Sequence, residues 1–503
     1  MINHSLSRDG SRILFHVIES SAQQSFSEAG KLYVRDDQGT SITSDDITTF
    51  VSASQKNNGT GPGGTDPAGP LPAIFLDAEP EHGSKVLFAS CEQLTNDSTA
   101  GGGPGCSNGE HLLSTEPRPG RELYRYDLDS GDLIDLTSAD PSGGDFFGLV
   151  GASDDLTKVY FVAGGLLDPG SAAIVGRPNL YLWDSGSISY IATLNGQDAE
   201  GGSGQPIDYY NWSNSAGDAF QSTRITADGR YLAFTSREPL TLYNNTNSTK
   251  CPPFGALSNP NGRCAEVYLY DAEADEGEGT ITCISCASLG SLPSGDASLG
   301  RHAYCCTGIT PLPFNLSEDG NRVFFQTYDP LVRTDSNGKQ DVYEWEDGQT
   351  HLISAGSGNA DSFFADATPS GGDVFFTTRD SLVSSDGDAE ADLYDARSGG
   401  GFPEPPPGSP PCEGDACQPP PIVPNDPTPS SASFVGPESQ RLTRTKGRGR
   451  HHKKRGRHHK KKRGQRHKIR RGGSHQGGSP RNKVRESQTR NHRRGKHLTP
   501  RRG

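Results

Sequence analysis

Nowhere does this sequence offer the ~18 consecutive apolar residues that a membrane-crossing helix needs. Helix of any length is poorly encoded, because one Met, 63 Gly and 36 Pro leave no long stretch with a 3.6-residue apolar period. Catalytic signatures are missing too. There is no Gly-x-Ser-x-Gly elbow for a nucleophilic serine, since Gly202-Ser203-Gly204 lacks the outer spacing. No phosphate-cradling Gly-x-x-x-x-Gly-Lys-[Ser/Thr] loop occurs. Nor is there a sialidase-type Asp box, although Ser317-Glu318-Asp319-Gly320 echoes the start of one. Outside the C-terminal region histidine occurs only singly, at His4, His16, His82, His111, His302 and His351, which argues against a histidine-centred catalytic or metal cluster. Aromatic residues stop at Phe434, so nothing beyond it can stack on bases.

What the chain does hold is one two-part phrase, spelled out six times between Ser7 and Arg397. The first part is a turn followed by a short apolar run ending in an aromatic. It reads Asp9-Gly10-Ser11-Arg12-Ile13-Leu14-Phe15 in the first copy and Asp319-Gly320-Asn321-Arg322-Val323-Phe324-Phe325 in the fifth. The aromatics of the other four are Phe88, Phe161, Phe234 and Phe376. The second part is an apolar-Tyr pair followed by an acid: Leu32-Tyr33 with Asp36, Leu123-Tyr124 with Asp127, Leu180-Tyr181 with Asp184, Val267-Tyr268 with Asp271, and Val342-Tyr343 with Glu346. In the sixth copy, Leu393-Tyr394, Arg397 stands where the acid should be.

Asp-Gly supplies the positive φ of a tight hairpin turn, and the β-branched and aromatic run after it prefers a pleated strand. One repeat cannot bury its own strands, so neighbours must stack. The array therefore predicts an all-β fold, a β-propeller of about six visible blades, six to eight on closure, over residues 1–402. A sandwich or a β-solenoid is the alternative, but a sandwich does not predict six copies of one phrase. A solenoid would use shorter and more even periods. Strand residues such as Tyr124, Tyr126, Trp183, Tyr268, Tyr270 and Trp345 are expected as contacts between blades. Residues 403–440 form a Pro-rich linker, and 441–503 a polar tail with too little apolar surface to fold alone.

The phrase Asp-Gly-x-[Arg/Lys]-[Val/Ile/Leu]-x-Phe followed by Leu-Tyr-x-x-Asp resembles the TolB-type, WD40-like β-propeller repeat of bacteria. Leu331 to Tyr343, and Cys412-Glu413-Gly414-Asp415-Ala416-Cys417 with its prolines, are similar to a group of actinobacterial propeller proteins that carry a Pro-rich segment and a basic tail. The resemblance covers about residues 5–420, is specific for fold, and implies almost no biochemistry.

Ten cysteines fall mostly as near neighbours: Cys91 with Cys106, Cys251 with Cys264, Cys283 and Cys286 with Cys305 and Cys306, and Cys412 with Cys417. An even count in Gly-, Pro- and Asn-rich insertions reads as disulfides formed in an oxidising compartment. Zinc held by the middle four is the competing reading, opposed by the adjacency of Cys305 and Cys306. Near Met1 no charged-then-apolar leader precedes the first complete repeat. Together with the cysteines this suggests an extracellular or cell-surface protein whose true start lies upstream.

Charge is split. Residues 441–503 hold 26 Lys and Arg against the single acid Glu486, a net charge of +25, which leaves −39 on residues 1–440. Lys453, Lys454, Arg455, Arg457, Lys460, Lys461, Lys462 and Arg463 form the densest polycation, expected to bind polyanions by counterion release. Two matched acidic loops are the best chemical candidates. Asp335, Asn337 and Asp341 occupy the first, third and seventh positions of one loop, and Asp386, Asp388 and Asp392 those of the next. Three oxygens at this spacing suit Ca²⁺, while the bland alternative is that Asp, Asn and Gly favour turns.

The expectation is a monomeric, non-enzymatic binding scaffold. It takes a protein or glycan ligand on the propeller and an anionic wall polymer or other polyanion on the tail. The alternatives are a hydrolase or lyase using acids in the central funnel, and a nucleic-acid-associated protein acting through the tail.

Overall fold

The computed structural model describes residues 4–17, 31–39, 44–56, 73–100, 120–141, 143–195, 208, 211–212, 223–252, 259, 261–287, 290–300 and 313–401. The chain divides into two compact units, Met1–Pro410 and Pro411–Gly503. The fold below is that of the first. The Pro-rich linker, the basic tail, and Cys106, Cys305, Cys306, Cys412 and Cys417 lie outside the described residues.

The fold is all-β: six antiparallel sheets follow one another along the chain. The first holds β1 (Arg12–Val17), β2 (Lys31–Asp36) and β3 (Ile47–Phe50). The second holds β4 (Ala73–Ala78), β5 (Lys85–Ser90), β6 (Glu122–Asp127) and β7 (Leu133–Asp135). The third holds β8 (Phe146–Ala152), β9 (Lys158–Ala163), β10 (Asn179–Asp184) and β11 (Ser187–Thr193). The fourth holds β12 (Arg224–Ile225), β13 (Tyr231–Ser236), β14 (Glu266–Asp271) and β15 (Thr280–Cys283). The fifth holds β16 (Arg322–Thr327), β17 (Asp341–Glu346) and β18 (Gln349–Leu352). The sixth holds β19 (Ser362–Ala367), β20 (Asp373–Thr378) and β21 (Asp392–Arg397).

Each sheet is a blade of a β-propeller, read as strands A to D in chain order. The turn-plus-aromatic phrase makes strand B, and the apolar-Tyr phrase makes strand C. The fifth blade's strand A is reduced to a bridge between Leu316 and Val323, and the first blade's to one between Leu6 and Ile13. Helix among the described residues is confined to short turns such as Asp275–Gly277.

The pleat explains why nearly every position of strand B is apolar. In β16, Val323 and Phe325 pack with Ala233, Val267 and Leu269 of the fourth blade. Phe324 points to the other face and packs with Phe364, Val374 and Phe376 of the sixth. Comparable clusters join the first blade to the second, the second to the third and the third to the fourth. The Phe and Tyr of each phrase stack across the sheet at centroid distances such as 5.5 Å for Phe88–Tyr124 and 5.9 Å for Phe325–Tyr343. On the outer faces of the end blades Ile13 stays 47% and Leu393 63% exposed, since no neighbouring sheet covers them among the described residues.

The turns before strand B knit blade to blade. Arg8 N–H donates to Pro80 O at 2.7 Å, Asp154 N–H to Ala227 O at 2.8 Å, and Glu318 N–H to Pro369 O at 2.8 Å. Gly229 and Gly320 adopt φ of 70° and 74° there. In the third copy Leu156 takes the same left-handed conformation, at φ 53°, with its side chain buried against the second blade.

Beside these same turns, a basic residue at or just before the start of strand B pairs with the acid that closes strand C. Arg12 reaches Asp36 at 2.7 Å, Lys158 reaches Asp184 at 3.7 Å, Arg230 reaches Asp271 at 2.9 Å and Arg322 reaches Glu346 at 2.7 Å.

Candidate functional site

The connections between strands B and C carry most of the unusual chemistry, and in the second to sixth blades the tyrosine of the same blade ties down the connection. Tyr124 hydroxyl donates to Glu92 O at 2.7 Å and Tyr181 to Gly165 O at 2.7 Å. Tyr268 donates to Glu238 O at 3.0 Å, Tyr343 to Asp329 O at 3.1 Å and Tyr394 to Asp380 O at 3.1 Å. A tyrosine here fills the space between blades and uses its polar tip to fix the loop root.

In the second to fifth blades the residue just before the apolar-Tyr pair is a buried polar group matched to a hydroxyl from strand D or the residues that follow it, whereas Asp392 of the sixth is exposed. Glu266 accepts from Ser285 Oγ at 2.5 Å, Asp341 from Ser354 Oγ at 2.5 Å and Asn179 from Thr193 Oγ1 at 2.7 Å. Glu122 accepts from Thr137 Oγ1, which also lies 2.8 Å from Asp135 Oδ1. The same hydroxyls accept the next backbone N–H: Leu123 to Thr137 at 3.1 Å, Val267 to Ser285 at 2.8 Å, and Val342 to Ser354 at 3.0 Å. Burial raises the pKa of Glu122, of Asp135 and of Glu266, and the Asp135 charge adds to the shift of Glu122. A protonated buried acid is a proton donor in principle. Glu122 and Glu266 are both 0% exposed, however, so neither faces solvent in this structure. The apolar-Tyr reading missed this series. Its signal was a polar residue recurring at the start of an otherwise apolar strand.

Both acidic loops sit in the B–C position, in the fifth and sixth blades. In the sixth, carboxylate oxygens of Asp386, Asp388 and Asp392 all lie within 4.8 Å of one another. In the fifth, Asp335 and Asp341 are buried, at 6% and 1% exposure, while Asn337 is half-buried. Tyr343 and Tyr394 hydroxyls also approach Asp335 Oδ2 and Asp386 Oδ2 respectively. The two loops are thus built alike.

Cys251 and Cys264 form a disulfide that closes part of the fourth blade's B–C connection, and Cys283 and Cys286 are joined to each other at the end of strand D. Cys91 is disulfide-bonded too. The sequence had grouped Cys283 and Cys286 with Cys305 and Cys306. The bond between the first two leaves no thiolate there for zinc. Tyr124, Trp183, Tyr268 and Tyr270 are buried between blades, and Arg125 caps the Trp183 ring at 4.6 Å. Lys453, Lys454, Arg455, Arg457, Lys460, Lys461, Lys462 and Arg463 lie outside the described residues.

No protein-family model matches the chain, and no curated protein does. Among solved structures it is similar to TolB from Acinetobacter baumannii, at 14% identity and a TM-score of 0.25, over 57% of this chain and 48% of that one. The β-propeller domain of the Trilobed protease from Pyrococcus furiosus is similar at 10% identity and 0.28, over 65% of this chain and 69% of that one. Oligogalacturonate lyase from Vibrio parahaemolyticus is similar at 12% identity and 0.29, over 77% and 70%. The chain thus spans about half the length of TolB. These likenesses assign no chemistry. The fold rests on the six sheets themselves. No described helix is long and apolar enough to cross a membrane.

Proposed function

We propose that this chain is a non-enzymatic, extracellular or cell-surface β-propeller scaffold. Its blades present ligand-binding loops and its cationic tail holds anionic polymer. One observation carries the non-enzymatic part: the acids that recur from blade to blade are consumed by the blades. Glu122 and Glu266 are buried, and each is bonded to a hydroxyl of its own sheet. Disulfides in the loop regions suit an oxidising compartment. The tail, at +25 with no aromatic residue, suits salt-sensitive binding to polyanions without base reading.

Retention on an immobilised anionic polymer, measured across a salt series for the full chain and for a chain lacking 441–503, tests the reading. The truncated chain is expected to elute at the lowest salt and to melt at the same temperature as the full chain. Equal retention of both chains excludes the tail as the anchor.

A second reading, a hydrolase or lyase acting through acids, draws on the raised pKa of Glu122 and Asp135. Turnover of a glycan or peptide substrate that Glu122→Gln abolishes, with the fold retained, would favour it over the scaffold.

A further inference from the structure

We propose that the B–C loops of the fifth and sixth blades are a matched pair of sites for a hard divalent cation, calcium by its chemistry. The fifth-blade loop, residues 335–341, is the more enclosed of the two.

The fifth-blade loop shows what a ligand is needed for. Asp335 spends Oδ2 on the Tyr343 hydroxyl, and Asp341 spends Oδ1 on Ser354 Oγ and on Gly356 N–H at 3.3 Å. Of the remaining oxygens, Asp341 Oδ2 is buried and has no hydrogen-bond donor, while Asp335 Oδ1 is buried with only the backbone N–H of Asn337 near its carboxylate, outside ordinary hydrogen-bond geometry. Residue 356 brings the two ends of the loop together, since Gly356 O accepts from Ser336 N–H at 2.8 Å while its own N–H reaches Asp341. A carboxylate oxygen removed from water without a donor is unfavourable unless a positive charge completes it or the group takes up a proton. Arg and Lys side chains are the ordinary answer, but Arg333 and Lys339, the basic residues of this loop, are exposed and half-exposed at its rim.

The sixth-blade loop supplies an independent observation. Its first, third and seventh positions bring three carboxylates to one point, with oxygens within 4.8 Å of one another. The first of them is bound by Tyr394 as Asp335 is by Tyr343. The third position is held by the same local turn in both loops. Asn337 Oδ1 accepts from Lys339 N–H at 2.8 Å, and Asp388 Oδ1 accepts from Glu390 N–H at 2.9 Å. What is convergent and exposed in one blade is therefore buried and short of donors in the next. Hard oxygen donors from side chains and backbone in a loop of uneven geometry suit Ca²⁺. Mg²⁺ demands a stricter octahedron and gives up its waters reluctantly.

The test uses the full chain, with its disulfides intact, after chelation. Terbium luminescence excited through the protein's aromatic rings reports a cation beside Tyr343 and Tyr394, and calcium is then titrated in as competitor. The expected result is a saturable signal that calcium displaces and equal magnesium does not, together with a rise in melting temperature on adding calcium. Asn337→Ala and Asp388→Asn, both in positions that do not hold the core, are each expected to weaken one site roughly tenfold or more. Asp335→Asn should abolish the fifth-blade site. Asp319→Asn removes the same charge from an Asp-Gly turn and should leave the signal as it is. Absence of a saturable signal in the wild-type chain overturns the proposal, as does an Asp319→Asn chain that loses as much as Asn337→Ala.

Discussion

Arg397 and Asp373 face each other across β20 and β21, with Nε 3.3 Å from Oδ1, and they are the reverse of the pair that Arg322 and Glu346 make one blade earlier. The strand register puts residue 373 opposite 397 as it puts 322 opposite 346. The apparent defect in the sixth repeat is thus a swap of both partners, with the ion pair retained. Asp373→Arg alone is expected to lower the melting temperature by setting two guanidiniums face to face. Adding Arg397→Glu should recover most of the loss. A double-mutant cycle by thermal melting checks this, and additive losses would show that the two residues do not communicate.

Leu156 holds a backbone conformation that its five counterparts leave to glycine or to a turn rich in it, and it does so with its side chain buried at 1% exposure. Removing the side chain as Leu156→Ala should cost about 2–5 kcal/mol through lost packing and a cavity. Leu156→Gly removes one carbon more but also relieves the left-handed backbone, worth about 1–2 kcal/mol. Glycine should therefore be the more stable of the two, the opposite of the usual order, by urea unfolding.

Burial raises the carboxyl pKa of Asp208 and of Asp329 to about 6. Their folded pKa values exceed the unfolded ones, so the folded chain keeps protons that the unfolded chain releases. That contribution is intact below the ordinary carboxylate pKa and is lost as pH rises from about 4 to about 6. Asp36, Asp228 and Asp271 move the other way. Burial pulls each of them up, but the arginines opposite Asp36 and Asp271, and Thr226 beside Asp228, outweigh it and leave all three lowered. These acids lose stability only as pH falls below their ordinary range. The two windows meet near the ordinary carboxylate pKa, so these groups make the chain most stable near about pH 4. Asp329→Asn should flatten the decline between about pH 4 and 6, by about 2–3 kcal/mol at its upper end, in urea midpoints measured at fixed ionic strength.

The two described disulfides differ in what they close. Cys251 and Cys264 are 13 residues apart, and Cys283 and Cys286 only 3. Chain entropy then assigns the first about 3 kcal/mol and the second less. Replacing Cys251 and Cys264 together by Ser should lower the unfolding free energy by about 2–3 kcal/mol. The corresponding pair at 283 and 286 should give a smaller loss, by the same denaturation assay.

The blades were legible because period, turn and aromatic position all recur locally. Phe325 and Tyr343 are 18 residues apart in sequence and stack at 5.9 Å. The acidic loops were legible for the same reason, as two copies of one spacing. What stayed hidden depends on register across strands. The acid after each tyrosine could be seen, but its partner at the start of strand B is fixed only once the hairpin is paired. The hydroxyls that meet the buried acids, Thr137, Ser285 and Ser354, lie 12 to 19 residues from the contacts they make. Nothing in a single serine announces such a distant role.

The tyrosine hydroxyls that fasten the B–C connections of the second to sixth blades give the molecule a division of labour. A connection pinned at its root by its own blade can change length without disturbing the neighbouring sheet. It runs from residue 91 to 121 in the second blade and only from 379 to 391 in the sixth. The opposite edge has no such licence, because its turns are hydrogen-bonded from blade to blade. One rim of the propeller thus behaves as a rack of exchangeable cassettes and the other as the frame that holds them. New specificity would be written on the first without reopening the second.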